Sequence, residues 1–207
     1  EIRPHRRELH ELRFLRRDLP AAHRHQFLDA EDRHAAGRRL VVQQLDLEQI
    51  ASLVPEALGR FFREHPRVAL AYSGGCDSVF LLACALASGA EVRPFTVNTA
   101  FQYAFEADDA RLAAGQLGSE TSLLMLDIFA HPEVVANPPD RCYHCKKVIF
   151  TAIKEAAARE GIEVLIDGTN ASDDPARRPG FRAIEELGVR SPLREANLTK
   201  DGAGHRR

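Results

Sequence analysis

The sequence predicts a doubly wound α/β fold, in which a parallel β-sheet carries helices on both faces. Short apolar runs begin near residues 68, 92, 122 and 162, and a segment with helical periodicity follows each of them. Alternating strands and helices are typical of βαβ units and therefore of a parallel sheet. Because ligands of such sheets bind beyond the carboxyl ends of the strands, the residues after each strand are the first candidates for a site.

Each element follows from a local pattern. The segment 47–65 has apolar residues at helical spacing, and Pro55 within it predicts a kink or an earlier break. The run 68–72 lies between Pro66 and two glycines, which is typical of a short buried strand. Beyond it the patterns predict, in order, helix 77–88, strand 92–97, helix 105–117, strand 123–127, helix 141–159, strand 162–166 and helix 181–187.

The composition is that of a globular protein. Of 207 residues, 44% are hydrophobic and 28% are charged, and the net charge is −2. A dedicated nucleic-acid-binding domain is usually basic, so we expect no nucleic-acid partner. We also expect no membrane partner, because the chain has no apolar run of about 18 residues and no apolar secretory signal. Four cysteines are too few for a disulfide scaffold, which favours a reducing, cytoplasmic location.

The two ends of the chain differ from its middle. Residues 1–40 hold ten Arg and five of the nine His, so residues 1–45 are predicted to be an atypical, partly helical and solvated extension. The alternatives for residues 1–45 are an arm that binds nucleic acid and a segment that is not a natural part of the domain. Residues 46–200 are predicted to form the α/β domain, and residues 201–207 a short tail.

The most informative loop follows the first strand, where residues 72–79 read YSGGCDSV. Glycines permit a tight turn that points backbone N–H groups into one concavity, and a following helix N-terminus adds partial positive charge. This pattern favours a phosphate or pyrophosphate site, with Asp77 as the helix N-cap or as a ligand of Mg²⁺. A plain strand-to-helix turn is the alternative. The patterns GxxxxGK[ST] and GxGxxG are absent.

The string SGGCDS after a buried strand resembles the pyrophosphate loop of the PP-loop ATPases, also called the adenine nucleotide α-hydrolase-like superfamily. The resemblance implies cleavage of ATP between its α and β phosphates, with Mg²⁺, and activation of a substrate oxygen as an adenylate. A nitrogen or sulfur nucleophile then displaces AMP. The residues that it implies for pyrophosphate binding are Ser73, Gly74, Gly75, Cys76, Asp77 and Ser78, with Asp77 also catalytic.

Three further strings narrow the resemblance. They are NPPDRCYHCKK at 137–147, DGTNASDD at 167–174, and RPGFR at 178–182 with the VRSPL and LTK that follow it. Over roughly residues 47–200 their order and spacing are similar to those of the ATP-dependent sacrificial sulfur transferases of nickel-pincer cofactor synthesis. The resemblance implies a small-molecule carboxylate as substrate, a pyridinium mononucleotide, whose carboxylate is adenylated and converted to a thiocarboxylate.

The same strings suggest binding roles on chemical grounds. The DGTN string follows the fourth strand, so it lies at the same sheet edge as the glycine loop. The nucleotide or metal ligands predicted here are Gly168, Thr169, Asn170 and Asp173. The cations predicted to bind an anionic substrate are Arg141, Lys146, Arg178 and Arg182. An Asx-type turn for the first set and solvated surface charge for the second are the alternatives.

The CxxC formed by Cys142 and Cys145 is predicted at a helix start, where the helix N-terminus lowers the pKa of a thiol. A catalytic thiol is therefore one prediction for this pair. Half of a zinc site is another, with His144 available, but a structural zinc normally takes four ligands and a second CxxC is absent. A structural or substrate-lining role is the third.

The chain departs from the sulfur transferases after Lys200, where it reads DGAGHRR. The family's donor cysteine lies in the region that follows this point, and we expect that cysteine and the family's carboxy-terminal domain to be missing from a truncated form. Either Cys142 or Cys145 then supplies the sulfur, or a partner supplies it, or the chain is inactive.

The predicted function is ATP-dependent adenylation of a substrate carboxylate, with release of AMP and pyrophosphate, followed by sulfur transfer. Catalysis is expected to come from charge stabilisation around the α-phosphate and from positioning. Another PP-loop enzyme, such as an ammonia-dependent amidating synthetase or a tRNA thiolase, is the first alternative. An inactive nucleotide-binding remnant is the second, and a homo-oligomer is an option that the sequence leaves open.

Overall fold

The computed structural model describes residues 47–102, 104–175 and 178–199. The predicted extension over 1–45 and the predicted tail over 201–207 lie outside the described residues. The described strands are β1 (Arg67–Ala71), β2 (Glu91–Asn98), β3 (Ser122–Met125) and β4 (Leu165–Asp167). The described helices are α1 (Leu47–Ala51), α2 (Glu56–Glu64), α3 (Cys76–Ala87), α4 (Ala104–Gln116), α5 (Pro132–Val135), α6 (Arg141–Arg159), α7 (Phe181–Glu186) and α8 (Pro192–Glu195).

The four described strands form one parallel sheet in the order β3-β2-β1-β4. The chain runs outward from β1 through β2 to β3 and then returns to place β4 on the other side of β1. The strand order therefore reverses between β1 and β4, which is where ligands bind in open α/β sheets. Ala71, the last residue of β1, lies opposite Asp167, the last residue of β4, so the loops after these strands leave the sheet side by side.

Helices cover both faces of the sheet, as the predicted fold class requires. On one face, Val68 and Leu70 of β1 pack with the buried side chains of α2, α3 and α4. On the other face, Ala69 packs with Phe150 and Ile153 of α6 and with residues of α7. This alternation along β1 follows from the two-residue period of a strand, and it confirms the doubly wound α/β class.

The predicted helix over 47–65 is divided in two. Pro55 stands immediately before α2 with an extended backbone (φ −56°, ψ 136°), and α1 ends at Ala51. Proline has no N–H to donate to the preceding turn, so the earlier break that Pro55 predicted is confirmed. The buried face of α2 comprises Leu58, Gly59, Phe61 and Phe62.

Two predicted strands have different ends. The strand predicted over 123–127 ends at Met125, because Asp127 accepts a hydrogen bond from the Phe129 N–H and caps a short 3₁₀ helix over Ile128–Ala130. The strand predicted over 162–166 begins only at Leu165, because the Ile162 N–H donates to Ala157 O and closes the end of α6. None of the helices in the described ranges has the length and apolar character to cross a membrane.

Candidate functional site

A cavity of about 640 Å³ lies at the carboxyl ends of β1 and β4, at the point where the strand order reverses. Loops from both strands line it, together with one side of α6 and the ends of β1 and β2. The predicted site residues that line this cavity are Ser73, Gly75, Cys76, Asp77, Ser78, Lys146, Gly168, Thr169, Asp173 and Arg178. The structure therefore brings together residues from three of the strings singled out in the sequence and the arginine that begins the fourth.

The glycine loop makes its turn against α4. Gly74 has a left-handed backbone (φ +75°), and a Cβ on it would lie 2.7 Å from the Cα of Ala110. Only glycine fits such a position, because an L-residue is strained at this φ and the obstructing atom belongs to the backbone of a helix. Gly74 thus lies behind the cavity, and the rest of the loop faces it.

The prediction that Asp77 is the N-cap of the helix is wrong. Helix α3 begins at Cys76 with Gly75 as its N-cap, and no side chain caps it. Asp77 is the second helical residue, and its Oδ2 accepts a hydrogen bond of 3.0 Å from Asn170 Nδ2 of the neighbouring loop. Because Asn170 is only 2% exposed, this contact comes from a buried donor and holds the carboxylate at the cavity wall.

The two serines of the glycine loop face each other at 3.3 Å between their Oγ atoms. Ser78 Oγ also donates to Gly75 O at 2.9 Å, so this hydroxyl closes the first turn of α3. Ser73 Oγ accepts from the Gly75 N–H at 3.3 Å and its side chain is exposed. The pair therefore shapes the loop, and Ser73 is the member that a ligand can reach more easily.

The DGTN loop after β4 packs directly on the start of α3. A Cβ on Gly168 would lie 3.0 Å from the Ser78 backbone nitrogen, so the missing side chain allows the two loops to touch. Asn170 accepts from the Ser172 N–H at 2.9 Å, which is an Asx-type turn, while its own N–H donates to Asp173. The predicted turn is thus present, and its amide group also reaches Asp77.

The buried carboxylate of Asp167 joins this loop to the segment before α8. It accepts hydrogen bonds from Thr169 Oγ1 at 2.6 Å and from Ser191 Oγ at 2.7 Å. Sequence reasoning did not select Asp167 or Ser191 as separate site residues. The available signal was the position of Asp167 at the end of a buried strand, where an acidic side chain needs hydrogen-bond donors.

The four predicted substrate-binding cations occupy different surroundings. Lys146 lines the cavity, and so does Arg178, which pairs with Asp173 at 2.9 Å. Arg141 is exposed, donates to Asn137 and lies over the Phe101 ring. Arg182 lies 3.5 Å from the centroid of the Tyr143 ring. Neither of these two arginines lines the cavity, so their proposed substrate contacts remain predictions.

The CxxC thiols lie at the start of α6, as predicted, but outside the cavity lining. Burial raises the pKa of Cys145, and the nearby Cys142 raises it further, while Arg141 lowers it by a smaller amount. The expectation of a lowered thiol pKa is therefore wrong for Cys145, because desolvation outweighs the favourable charge. Cys142 is exposed.

An apolar wall completes the cavity on the side of α6. It is formed by Ala71, Phe95, Val97, Ile149, Phe150 and Ile153. In the sequence these residues belong only to predicted strands and a predicted helix, because an apolar side chain that packs in a core and one that lines a cavity look the same in a sequence. The cavity thus has a polar half made of loops and an apolar half made of α6 and the ends of β1 and β2.

Within the described residues, no group of three or more His, Cys, Asp or Glu side chains is placed to hold a metal ion. A closed zinc site at the CxxC therefore has no support in this part of the chain. Mg²⁺ is a different case, because it is usually held by one or two carboxylates together with substrate phosphates and waters. Asp77 meets that requirement at the cavity, next to the loop that is predicted to bind phosphate.

Comparison with known proteins gives relatives but no matching family model. The chain is 35% identical over 146 residues to the uncharacterized protein slr1717 of Synechocystis, covering 70% of this chain and 54% of that protein. It is 33% identical over 136 residues to the pyridinium-3,5-bisthiocarboxylic acid mononucleotide synthase of Lactiplantibacillus plantarum, covering 65% of this chain and 49% of the synthase. The chain thus spans about half the length of the curated relatives it matches.

The similarity to the synthase of Lactiplantibacillus plantarum extends over 65% of this chain, and it confirms the resemblance drawn from the four strings. Among solved structures, the NMN synthetase of Francisella tularensis superposes on 70% of this chain and 72% of its own, at 12% identity and a TM-score of 0.49.

Proposed function

We propose that this chain binds MgATP in the cavity and transfers AMP to a carboxylate of a small molecule, with release of pyrophosphate. One observation carries the proposal: the SGGCDS loop after β1 and the DGTN loop after β4 line a single cavity where the strand order reverses. The relationship to a mononucleotide synthase supports the same reaction class.

The polar half of the cavity suits the phosphates. The loop before α3 has glycines at 74 and 75, and the N-terminus of α3, a helix of 12 residues, adds partial positive charge. Gly74 and Gly168 leave out side chains that would otherwise push α4 or the two loops apart, so the concavity depends on both. Asp77, oriented by Asn170, is the proposed Mg²⁺ ligand.

The residues that face the cavity are proposed to act by charge and position. Lys146 and Arg178 approach from α6 and from the 178–180 turn, and each can stabilise negative charge that develops on the phosphate during transfer. A carboxylate oxygen of the substrate would attack the α-phosphorus, and pyrophosphate would leave with the electron pair of the broken P–O bond. No protein nucleophile is needed for this step.

We further propose that sulfur transfer follows, in which a sulfur nucleophile attacks the carboxyl carbon of the adenylate and displaces AMP. Sulfide would give the thiocarboxylate directly. A cysteine thiolate would first give a thioester, and loss of the cysteine Cα proton would then break its Cβ–S bond, leaving the thiocarboxylate and a dehydroalanine residue. The Lactiplantibacillus relative is a synthase of a bisthiocarboxylic acid mononucleotide, and this product supports the second step. Cys142 and Cys145 remain candidate donors, and a partner protein is the other source. Because neither thiol lines the cavity, a donor from this pair requires the adenylated substrate to reach the start of α6.

The test is pyrophosphate release from ATP and Mg²⁺ by the full chain, with and without a pyridinium dicarboxylate mononucleotide. We expect substrate-stimulated release that Asp77→Ala abolishes. The matched control is Asp109→Ala, an exposed aspartate on α4, which should leave release unchanged. Folded protein that binds MgATP without releasing pyrophosphate would refute the enzyme and favour the nucleotide-binding remnant.

The second step is tested separately. After adenylation, the product is analysed by mass spectrometry with no nucleophile added, with ammonia and with sulfide. A thiocarboxylate formed without added sulfide, together with loss of sulfur from a cysteine, supports a donor within the chain. An amide formed from ammonia in preference to any sulfur product would favour the amidating synthetases instead.

A further inference from the structure

We propose that Gly180 is a positioning residue for Lys146: the side chain that it lacks leaves the space through which the lysine reaches the cavity. The contact itself stands on geometry alone. Its consequence for ATP rests on the proposed function, so the experiment below separates the two.

The geometry around Gly180 leaves no room for a side chain while Lys146 keeps its observed position. A Cβ built on it would lie 2.6 Å from Lys146 Cδ, which is a collision, 3.2 Å from Cε, which is a tight contact, and 3.4 Å from Cγ. Contacts under about 3 Å between carbon atoms are strongly repulsive, since the optimum is near 3.5–4.0 Å. The lysine stem therefore runs directly over this glycine.

The backbone does not explain the glycine. Gly180 has φ −64° and ψ −15°, an ordinary right-handed helical conformation that alanine adopts without strain. Conformational freedom is the usual reason for glycine at a turn, and it is not needed here. What remains is the missing side chain, which is the feature that Lys146 uses.

Phe150 confines the lysine at its other end. The Lys146 Nζ lies 5.6 Å from the centroid of the Phe150 ring, within the range of a cation–π contact. Both side chains line the cavity. The stem of Lys146 thus passes over Gly180 while its ammonium group lies above the aromatic ring at the cavity wall.

The turn that contains Gly180 is held in place, so a new side chain would move the lysine rather than the turn. The Phe181 N–H donates to Arg178 O at 3.0 Å, and Arg178 pairs with the buried Asp173. The helix that follows is tied to α6, because Tyr143 OH donates to Glu186 at 2.7 Å. The two cations at the cavity are consequently placed by one turn: it carries Arg178 and confines Lys146.

The first arm of the experiment needs no ATP. Lysines of the full chain are ¹³C-dimethylated, and the Lys146 signal is assigned by its absence in Lys146→Arg. In Gly180→Ala we expect this signal to lose the ring-current shift from Phe150, as it also should in Phe150→Leu. Gly115→Ala, an exposed glycine of α4 whose Cβ would meet no atom within 4 Å, should leave the signal in place. An unmoved signal in Gly180→Ala would overturn the inference.

The second arm is a double-mutant cycle on MgATP affinity. Loss of a charge-assisted contact to phosphate should weaken binding about tenfold or more in Gly180→Ala and in Lys146→Ala. In the double variant the alanine at 180 should cause no further loss, because the lysine it displaces is gone. A full additional loss would mean that Gly180→Ala acts through Arg178 or the fold, and would refute the positioning role.

The outcomes separate the two proposals. A displaced Lys146 signal in a chain that binds no MgATP supports the contact and refutes the proposed function. If the chain binds MgATP but the Lys146 signal does not move in Gly180→Ala, the proposed function is supported and the positioning role of Gly180 is refuted.

Discussion

Replacing Gly74 by alanine should destabilise the protein more than any ordinary glycine-to-alanine change. The substitution places an L-residue at φ +75°, which costs about 1–2 kcal/mol. It also drives a Cβ to 2.7 Å from Ala110 Cα and 2.8 Å from Ala110 Cβ, and such overpacking costs about 1–3 kcal/mol. The expected loss in free energy of unfolding is therefore about 2–5 kcal/mol.

Gly89 provides a matched control for this prediction. It has the same φ of +75°, and a Cβ on it would meet no atom within 4 Å. Gly89→Ala should therefore cost only the conformational term, about 1–2 kcal/mol. Urea unfolding of both variants measures the difference directly, since the two share the backbone penalty. If Gly74→Ala costs no more than Gly89→Ala, then α4 does not obstruct position 74 and the reasoning fails.

Three further predictions concern single contacts. Asn170→Ala should lower the free energy of unfolding by about 1–3 kcal/mol and weaken MgATP binding, because it removes a buried donor to Asp77. Urea unfolding measures the first effect and titration calorimetry the second, and an unchanged stability together with an unchanged affinity would contradict the prediction. Hydrogen bonds from Arg190 lower the pKa of Glu195, so this pair stabilises the fold above the ordinary carboxyl pKa and its contribution disappears as pH falls through the lowered value. Glu195→Gln should therefore cost less than about 1 kcal/mol at pH 7, as the pair is partly exposed, and this cost should shrink as the pH falls below the ordinary carboxyl pKa; a cost that does not change with pH would contradict the assignment. The raised pKa of Cys145 predicts that iodoacetamide alkylates this thiol slowly at pH 7, and that the alkylation rate increases only at a higher pH than for an exposed thiol. Peptide mass spectrometry measures the rate, and fast alkylation of Cys145 at pH 7 would refute the prediction.

The fold was predictable because its signals are local and repeated. Helix α6 has the predicted bounds, Arg141–Arg159, since its apolar positions persist over five turns. The glycine loop was predictable because a buried strand ends directly before it. Helix α8 was missed, because four residues that begin with Pro192 carry too little periodicity to distinguish a helix from a turn.

The site was predictable only in part, because spacing does not show which way a side chain points within the folded protein. Arg141 and Lys146 belong to the same helix, but five residues place them about 140° apart around its axis, so only one can face the cavity. Asn170 was predicted to be a ligand, but it lies outside the cavity lining, and its amide group donates a hydrogen bond that orients Asp77. The role of Gly180 depends on a contact with α6 that no local pattern contains.

The reversal of strand order has a consequence for how the chain acquires its site. Asp77 and Asn170 are 93 positions apart, so the cavity has both walls only after β4 has inserted beside β1. Such non-local closure is slow compared with the formation of helices and adjacent βαβ units. Strand β4 has only three residues, and a single parallel bridge between Ile166 and Arg190 borders it on the side away from β1, so its amides should exchange hydrogen earlier than those of β1. Nucleotide that bridges the two loops would then protect β4 most, and its binding would report that the last strand has joined the sheet.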